Sequence, residues 1–111
     1  MKSEYLWIIK EYFESFSSQN IEDLRNLYSE DVVLKDWNIY VEGKENVIEA
    51  NMNIFKQFPQ LRIHIENIIK DEHDYYACQI NISLEENNTI EVCDIIKVKN
   101  GKILSIHAYK C

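Results

Sequence analysis

The chain has 111 residues, of which 46% are hydrophobic and 28% charged, and a formal net charge of −7; this suits one domain with a single packed core and argues against disorder. The acidic balance and the lack of any Lys/Arg cluster exclude nucleic acid and anionic membrane surfaces as partners, since both are bound by cationic neutralisation of phosphates. A neutral or cationic small ligand, or another protein, is the expected partner.

The opening Met1-Lys2-Ser3-Glu4-Tyr5 carries an early acid and no apolar run with a small-residue cleavage site, so no secretory signal is expected. No stretch approaches membrane-spanning length. Cys78, Cys93 and Cys111 are odd in number and widely spaced, which reads as free thiols in a reducing cytoplasm. No zinc pattern is present, and His64 and His73 read as solvent-facing strand and turn residues with no metal role.

Ser3 is a suitable N-cap for a first helix from about Glu4 to Ser17, whose apolar stripe is Tyr5, Ile9, Tyr12, Phe13 and Phe16. Asn20-Ile21-Glu22-Asp23 opens a second, short helix carrying Ile21, Leu24, Leu27 and Tyr28 and ending near Ser29. A strand then starts at Val32, in which Val32, Leu34 and Asp36 share one face. Gly43 precedes a third helix, about Lys44 to Phe58, stopped by Pro59 and buried through Val47, Ile48, Ile54, Phe55 and Phe58.

From Leu61 the period changes to two. Leu61 to Lys70, Tyr75 to Leu84, Thr89 to Lys99 and Lys102 to Tyr109 read as four consecutive antiparallel strands. The expected class is α+β, a curved antiparallel sheet wrapped over three helices. Asn100-Gly101 predicts a two-residue type I′ hairpin, whose regular register sets Lys99 against Lys102, Val98 against Ile103 and Asp94 against His107. The same register turns Ser105, His107 and Tyr109 toward the core and leaves Cys93, Ile95, Leu104, Ile106 and Ala108 on the outer face, an apolar patch that predicts a homodimer. Asp94, among Ile and Val, is costly unless neutral, paired or functional.

The stretch Lys10-Glu11-Tyr12-Phe13 through Leu27-Tyr28-Ser29-Glu30-Asp31-Val32-Val33-Leu34-Lys35-Asp36 resembles the first third of ketosteroid isomerases, with their catalytic Tyr and general-base Asp falling on Tyr12 and Asp36. Val92-Cys93-Asp94-Ile95-Ile96-Lys97-Val98 with Asn100-Gly101-Lys102-Ile103 is similar to the strand and hairpin that hold the second acid of that family, which falls on Asp94. The resemblance extends over nearly the whole chain to the cone-shaped fold shared with nuclear transport factor two and SnoaL-like polyketide cyclases. It implies a base Asp that moves a proton next to a carbonyl, and a Tyr and a protonated Asp that donate to the enolate oxygen. The chain departs from the isomerases at Trp37, where they usually carry Pro, in a shorter connection from Asp36 to Gly43, and in a histidine opposite Asp94, which favours a carboxylate–imidazolium pair and so points toward dehydration or aldol-type cyclisation.

The expected site is therefore Tyr12, Asp36, Asp94 and His107, with Trp37, Phe55 and Tyr109 as ligand-contacting walls. One reading is a cofactor-free acid-base enzyme, an isomerase, cyclase or dehydratase acting on a small apolar carbonyl compound. The other is a non-catalytic ligand-binding or dimerisation module. No Ser or Cys nucleophile is supported, and the Asp-Arg-Asp arrangement of epoxide hydrolases of this fold has no counterpart near Arg25 or Arg62. Catalysis requires Tyr12, Asp36 and Asp94 to converge on one cavity; a module does not.

Overall fold

A computed structural model describes residues 4–111. Among these the helical periodicity yields α1 (Leu6–Ser17), α2 (Ile21–Leu27) and α3 (Lys44–Gln57), and two-residue alternation yields β1 (Tyr28–Lys35), β2 (Tyr40–Glu42), β3 (Arg62–Lys70), β4 (Tyr75–Glu85), β5 (Asn88–Lys99) and β6 (Lys102–Lys110). The expected cap Ser3 lies outside the described residues. α1 is held mainly by packing, since Ile8, Ile9, Tyr12 and Phe13 are buried while Tyr5 at its N-cap makes no side-chain capping bond.

α1 ends where Gln19 takes a left-handed φ of 58°, and the N–H groups of Gln19 and Asn20 return to the carbonyls of Phe16 and Ser15. Asn20 then caps α2, its side-chain oxygen accepting from the Asp23 N–H at 3.1 Å. The chain enters β1 directly at Tyr28, ahead of the expected start at Val32. Gly43, at φ 94°, supplies the positive φ from which α3 begins. α3 stops at Gln57, two positions ahead of the proline that cannot continue it.

The six strands lie in the order β2-β1-β6-β5-β4-β3. Every neighbouring pair is antiparallel except β1 and β6, which run parallel with Lys35 beside His107. The four-strand meander β3–β6 is antiparallel as expected, and the parallel seam with β1, outside it, makes the six-stranded sheet mixed. β1 and β6 are joined by most of the chain, so no hairpin dictates their relative direction. Register shifts between Ile65 and Asn67, Ser83 and Glu85, and Lys97 and Val98 mark irregularities of the kind that bend a sheet. The helices fill its concave side, where Ile8, Phe13, Val47, Ile48, Tyr76, Ile96 and Ile106 belong to one buried cluster.

The Asn100-Gly101 turn has φ 53° and 77°, the two positive values a type I′ turn needs. Lys99 pairs with Lys102 and Val98 with Ile103, as expected. Beyond them Leu104 is an extra residue: Lys97 pairs with Ser105, Ile95 with His107 and Asp94 with Ala108. The predicted cross-strand pair of Asp94 and His107 is thus replaced. A regular register would turn Ser105 and His107 into the core and leave Ile106 outside; the bulge reverses this, burying Ile106 and sparing two polar side chains desolvation. The outer apolar patch accordingly loses Ile106 and Ala108, both of which line the interior cavity.

Candidate active site

The concave sheet face, α1 and α3 enclose a cavity of about 120 Å³ whose walls are mostly apolar, among them Phe16, Leu34, Ile54, Ile80, Val92 and Ile106. Four polar side chains interrupt that lining: Tyr12, Asp36, Asn51 and Asp94. Trp37, 43% exposed, stands in the same wall where it meets solvent.

Asp94 sits in the middle of β5, between Val92 and Ile96 on the same face, and is only 6% exposed. Burial raises its pKa to about 7, and the nearby charge of Asp36 adds to the effect. A carboxyl in that range is substantially protonated at neutral pH and can donate a hydrogen bond into the cavity. Asp36 follows the last residue of β1, where the chain turns toward β2. Its Oδ1 accepts from the N–H of Asn38 at 2.6 Å and of Ile39 at 2.8 Å, so one carboxylate oxygen holds the turn. The other oxygen is not used in that turn.

Tyr12 comes from α1, one helical turn from Ile8 and Phe16. Burial holds its hydroxyl well above the ordinary tyrosine range, reinforced by Tyr28 and Asp94 nearby. Tyr28 opens β1, its ring 6.2 Å from that of Tyr12 between centroids. Its hydroxyl donates to Asn51 Oδ1 across 2.6 Å. Tyr12, Tyr28 and Asn51 therefore form a polar seam from α1 through β1 to α3, inside an otherwise apolar core.

Tyr12, Asp36, Asp94 and Trp37 meet at this cavity, whereas three other expected site residues do not. His107 and Tyr109 lie on the other side of β6, in a groove with Lys35 and Lys110 that Asp36 and Trp37 also border, because the Leu104 bulge turns Ile106 and Ala108 inward in their place. Phe55 is buried but packs edge-on against Phe16 at 4.8 Å between centroids, so that Phe16 and Ile54 form the wall in front of it. Asn51 and Tyr28 were not anticipated. Asn51 had a legible signal, since it falls on the stripe of Val47, Ile48 and Phe55, where a polar residue is anomalous. Tyr28 had none, because it continues the apolar face of α2 as naturally as it starts a strand.

Cys78, cross-strand from Asp94, has its thiol pushed far up by burial and is no nucleophile. Neither arginine reaches the cavity: Arg25 pairs with Glu45, and Arg62 donates to the carbonyl of Leu61 at 2.7 Å. No helix among the described residues is long and apolar enough to cross a membrane.

The model of the SnoaL-like domain matches residues 9–106. The chain belongs to the SnoaL-like family. Solved structures agree on the fold of this SnoaL-like domain at low identity. A protein provisionally named as a SnoaL-like polyketide cyclase from Jannaschia sp. CCS1 has a TM-score of 0.86 at 16% identity, over 98% of this chain and 86% of that one. One provisionally named as a ketosteroid isomerase from Kribbella flavida has a TM-score of 0.82 at 15% identity, over 95% and 76%. An LEH-like epoxide hydrolase of M. tuberculosis reaches 0.86 at 12% identity, over 98% and 84%. No curated protein matches the sequence significantly. SnoaL-like domains and their structural neighbours thus carry several chemistries on one scaffold, and the choice among them rests on the cavity.

Proposed function

We propose that this SnoaL-like protein is a cofactor-free acid-base catalyst that isomerises a small apolar carbonyl compound. The observation that carries this reading is the pairing, in one apolar cavity, of a buried carboxyl whose pKa is raised to about 7 with a second carboxyl fixed at the strand exit. Asp36, through the oxygen not engaged in its turn, removes a proton from the carbon beside the carbonyl. The C–H electron pair becomes a C=C bond and the carbonyl pair moves onto oxygen. Asp94 donates a hydrogen bond to that developing oxyanion, with Tyr12 beside it; in a β,γ-unsaturated substrate the oxygen pair then re-forms the C=O bond, the new C=C pair moves to the α,β position, and the pair of the former β,γ double bond takes the proton back from Asp36 at the γ carbon. The separation of His107 from Asp94 favours this neutral-acid chemistry over the charged dyad that would suit dehydration or cyclisation. An epoxide hydrolase reading has no arginine at the cavity to support it.

The test is conversion of a β,γ-unsaturated cyclohexenone to its conjugated isomer, followed by ultraviolet absorbance. Acceleration by the wild type, lost in Asp36→Asn, is expected. Binding of the enone without acceleration would favour a ligand-binding module.

The same reading takes the chain as one such domain working in a reducing cytoplasm, with its three cysteines as free thiols. It also includes a homodimer through the outer sheet face, where Ile69, Tyr75 and Tyr109 are exposed beside Ile95. Sedimentation of wild type against Tyr109→Glu checks this, a shift toward monomer being expected in the variant.

A further inference from the structure

Asn51 is 3% exposed, yet it is a polar residue on the core stripe of α3 and one of the few polar groups lining the cavity. Its Oδ1 is taken by the Tyr28 hydroxyl at 2.6 Å, which orients the amide. Its Nδ2 then carries two N–H donors with no partner among the described residues, and that nitrogen is not among the atoms sealed from the cavity. The side chain is almost wholly buried and its amide is fixed by Tyr28, so an acceptor for these donors has to come from within the cavity. Water is one candidate, with Tyr12 or Asp94 of the same lining as further polar partners, and a ligand entering the cavity would displace it. A ligand oxygen is the other.

The carbonyl oxygen of the proposed reaction is already committed to Asp94 and Tyr12. We infer that Asn51 binds a second oxygen on the substrate, so that the natural ligand is a compact carbonyl compound carrying an additional hydroxyl or carbonyl group. This rests on the acid-base reading of the same cavity and narrows its substrate class. The size agrees: an apolar cavity of roughly 150 Å³ takes a single benzene ring, and the present cavity, about 120 Å³ and open on one side past Trp37, suits one ring or a short chain. A fused polycyclic skeleton would not fit inside it. Asn51 is thereby a specificity residue: a site built to donate to a substrate oxygen discriminates against the analogue that lacks it, because the buried donor is then left unpaired.

The experiment compares binding of cyclohexanone with that of its α-, β- and γ-hydroxy derivatives by calorimetry, in the wild type, Asn51→Asp and Asn51→Leu. Asn51→Asp keeps the acceptor for Tyr28 and, at alkaline pH where its carboxyl is ionised, removes the donors; Asn51→Leu removes both, and all titrations are run at that pH. The wild type is expected to favour at least one hydroxy derivative, and the ratio of its affinity to that of cyclohexanone should fall roughly tenfold in both variants. Should neither variant fold, the Asn51 side-chain amide resonance of the wild type serves instead: it should shift with the hydroxy derivative and stay still with cyclohexanone. An unchanged ratio in the variants, or an amide signal that responds equally to both probes, overturns the inference and leaves the acid-base reading intact. Failure of the wild type to bind any of the four overturns both.

Discussion

Asp36 and Asp94 share one cavity, and the charge of the first adds to burial in keeping the proton on the second. This has a measurable thermodynamic counterpart. The pKa of Asp94 is about 7 in the folded protein and about 3.9 in an unfolded chain. Between those values the folded state binds the additional proton, so stability is fully present below the unfolded value and is lost as pH rises through the folded one. Urea denaturation of the wild type should show a fall on the order of a few kcal/mol over that window relative to Asp94→Asn, in which the contribution of this group is absent. Parallel curves for the two proteins would mean that Asp94 is ionised throughout.

The same proton governs turnover. Isomerisation that needs Asp94 as a donor should decline as pH rises through about 7. Asp94→Asn, whose amide donates but does not titrate, should be slower and should lose that limb. The rate profile of the cyclohexenone conversion from mildly acidic to mildly alkaline pH checks both points.

Removing the Tyr28 hydroxyl isolates the polar seam. Tyr28→Phe leaves Asn51 Oδ1 without its donor in a buried setting and should cost about 1–3 kcal/mol of stability. Combining it with Asn51→Leu should recover part of that loss, because both polar partners are then gone. Chemical denaturation of the two single variants and the double variant reads the coupling directly.

His107 provides a negative control. With Ala108 opposite Asp94 and the imidazole on the other side of β6, His107→Ala should leave the Asp94 titration unshifted, since its side chain does not face that carboxyl. Carboxyl NMR of Asp94 in both proteins makes the comparison. A moved midpoint would restore the dyad.

The contrast between Asp94 and His107 also shows where sequence reasoning ran out. The helices, the four strands of the meander and the Asn100-Gly101 turn were legible because periodicity and turn chemistry are local; Asp36 and Asp94 were legible because each ends or interrupts an apolar face, and Tyr12, itself part of the apolar stripe of α1, through the resemblance to ketosteroid isomerases. The bulge at Leu104 is set by a choice between burying Ser105 with His107 or Ile106 with Ala108, and that choice is settled by packing against β1 and β5. The apolar run Ile103-Leu104 is compatible with both. Reading the desolvation cost of the two alternatives, instead of extending the turn register, would have favoured the observed face. The parallel seam and the role of Tyr28 depend on contacts between distant parts of the chain and leave no local trace.

That seam has a consequence for how the protein is made. Asp36 reaches Asp94 only because β6 slots between β1 and β5, with Lys35 beside His107. Before the last strand docks, the two carboxyls belong to separate pieces of an open sheet and the cavity has no floor. Closing a loop of this length carries an entropic cost that the local β5–β6 hairpin does not face, so the contact of β1 with β6 is the step expected to follow that hairpin. Binding of a ligand to the cavity is therefore an assay of completed folding, and a chain arrested before β6 has all of the chemistry in its sequence and none of it in place.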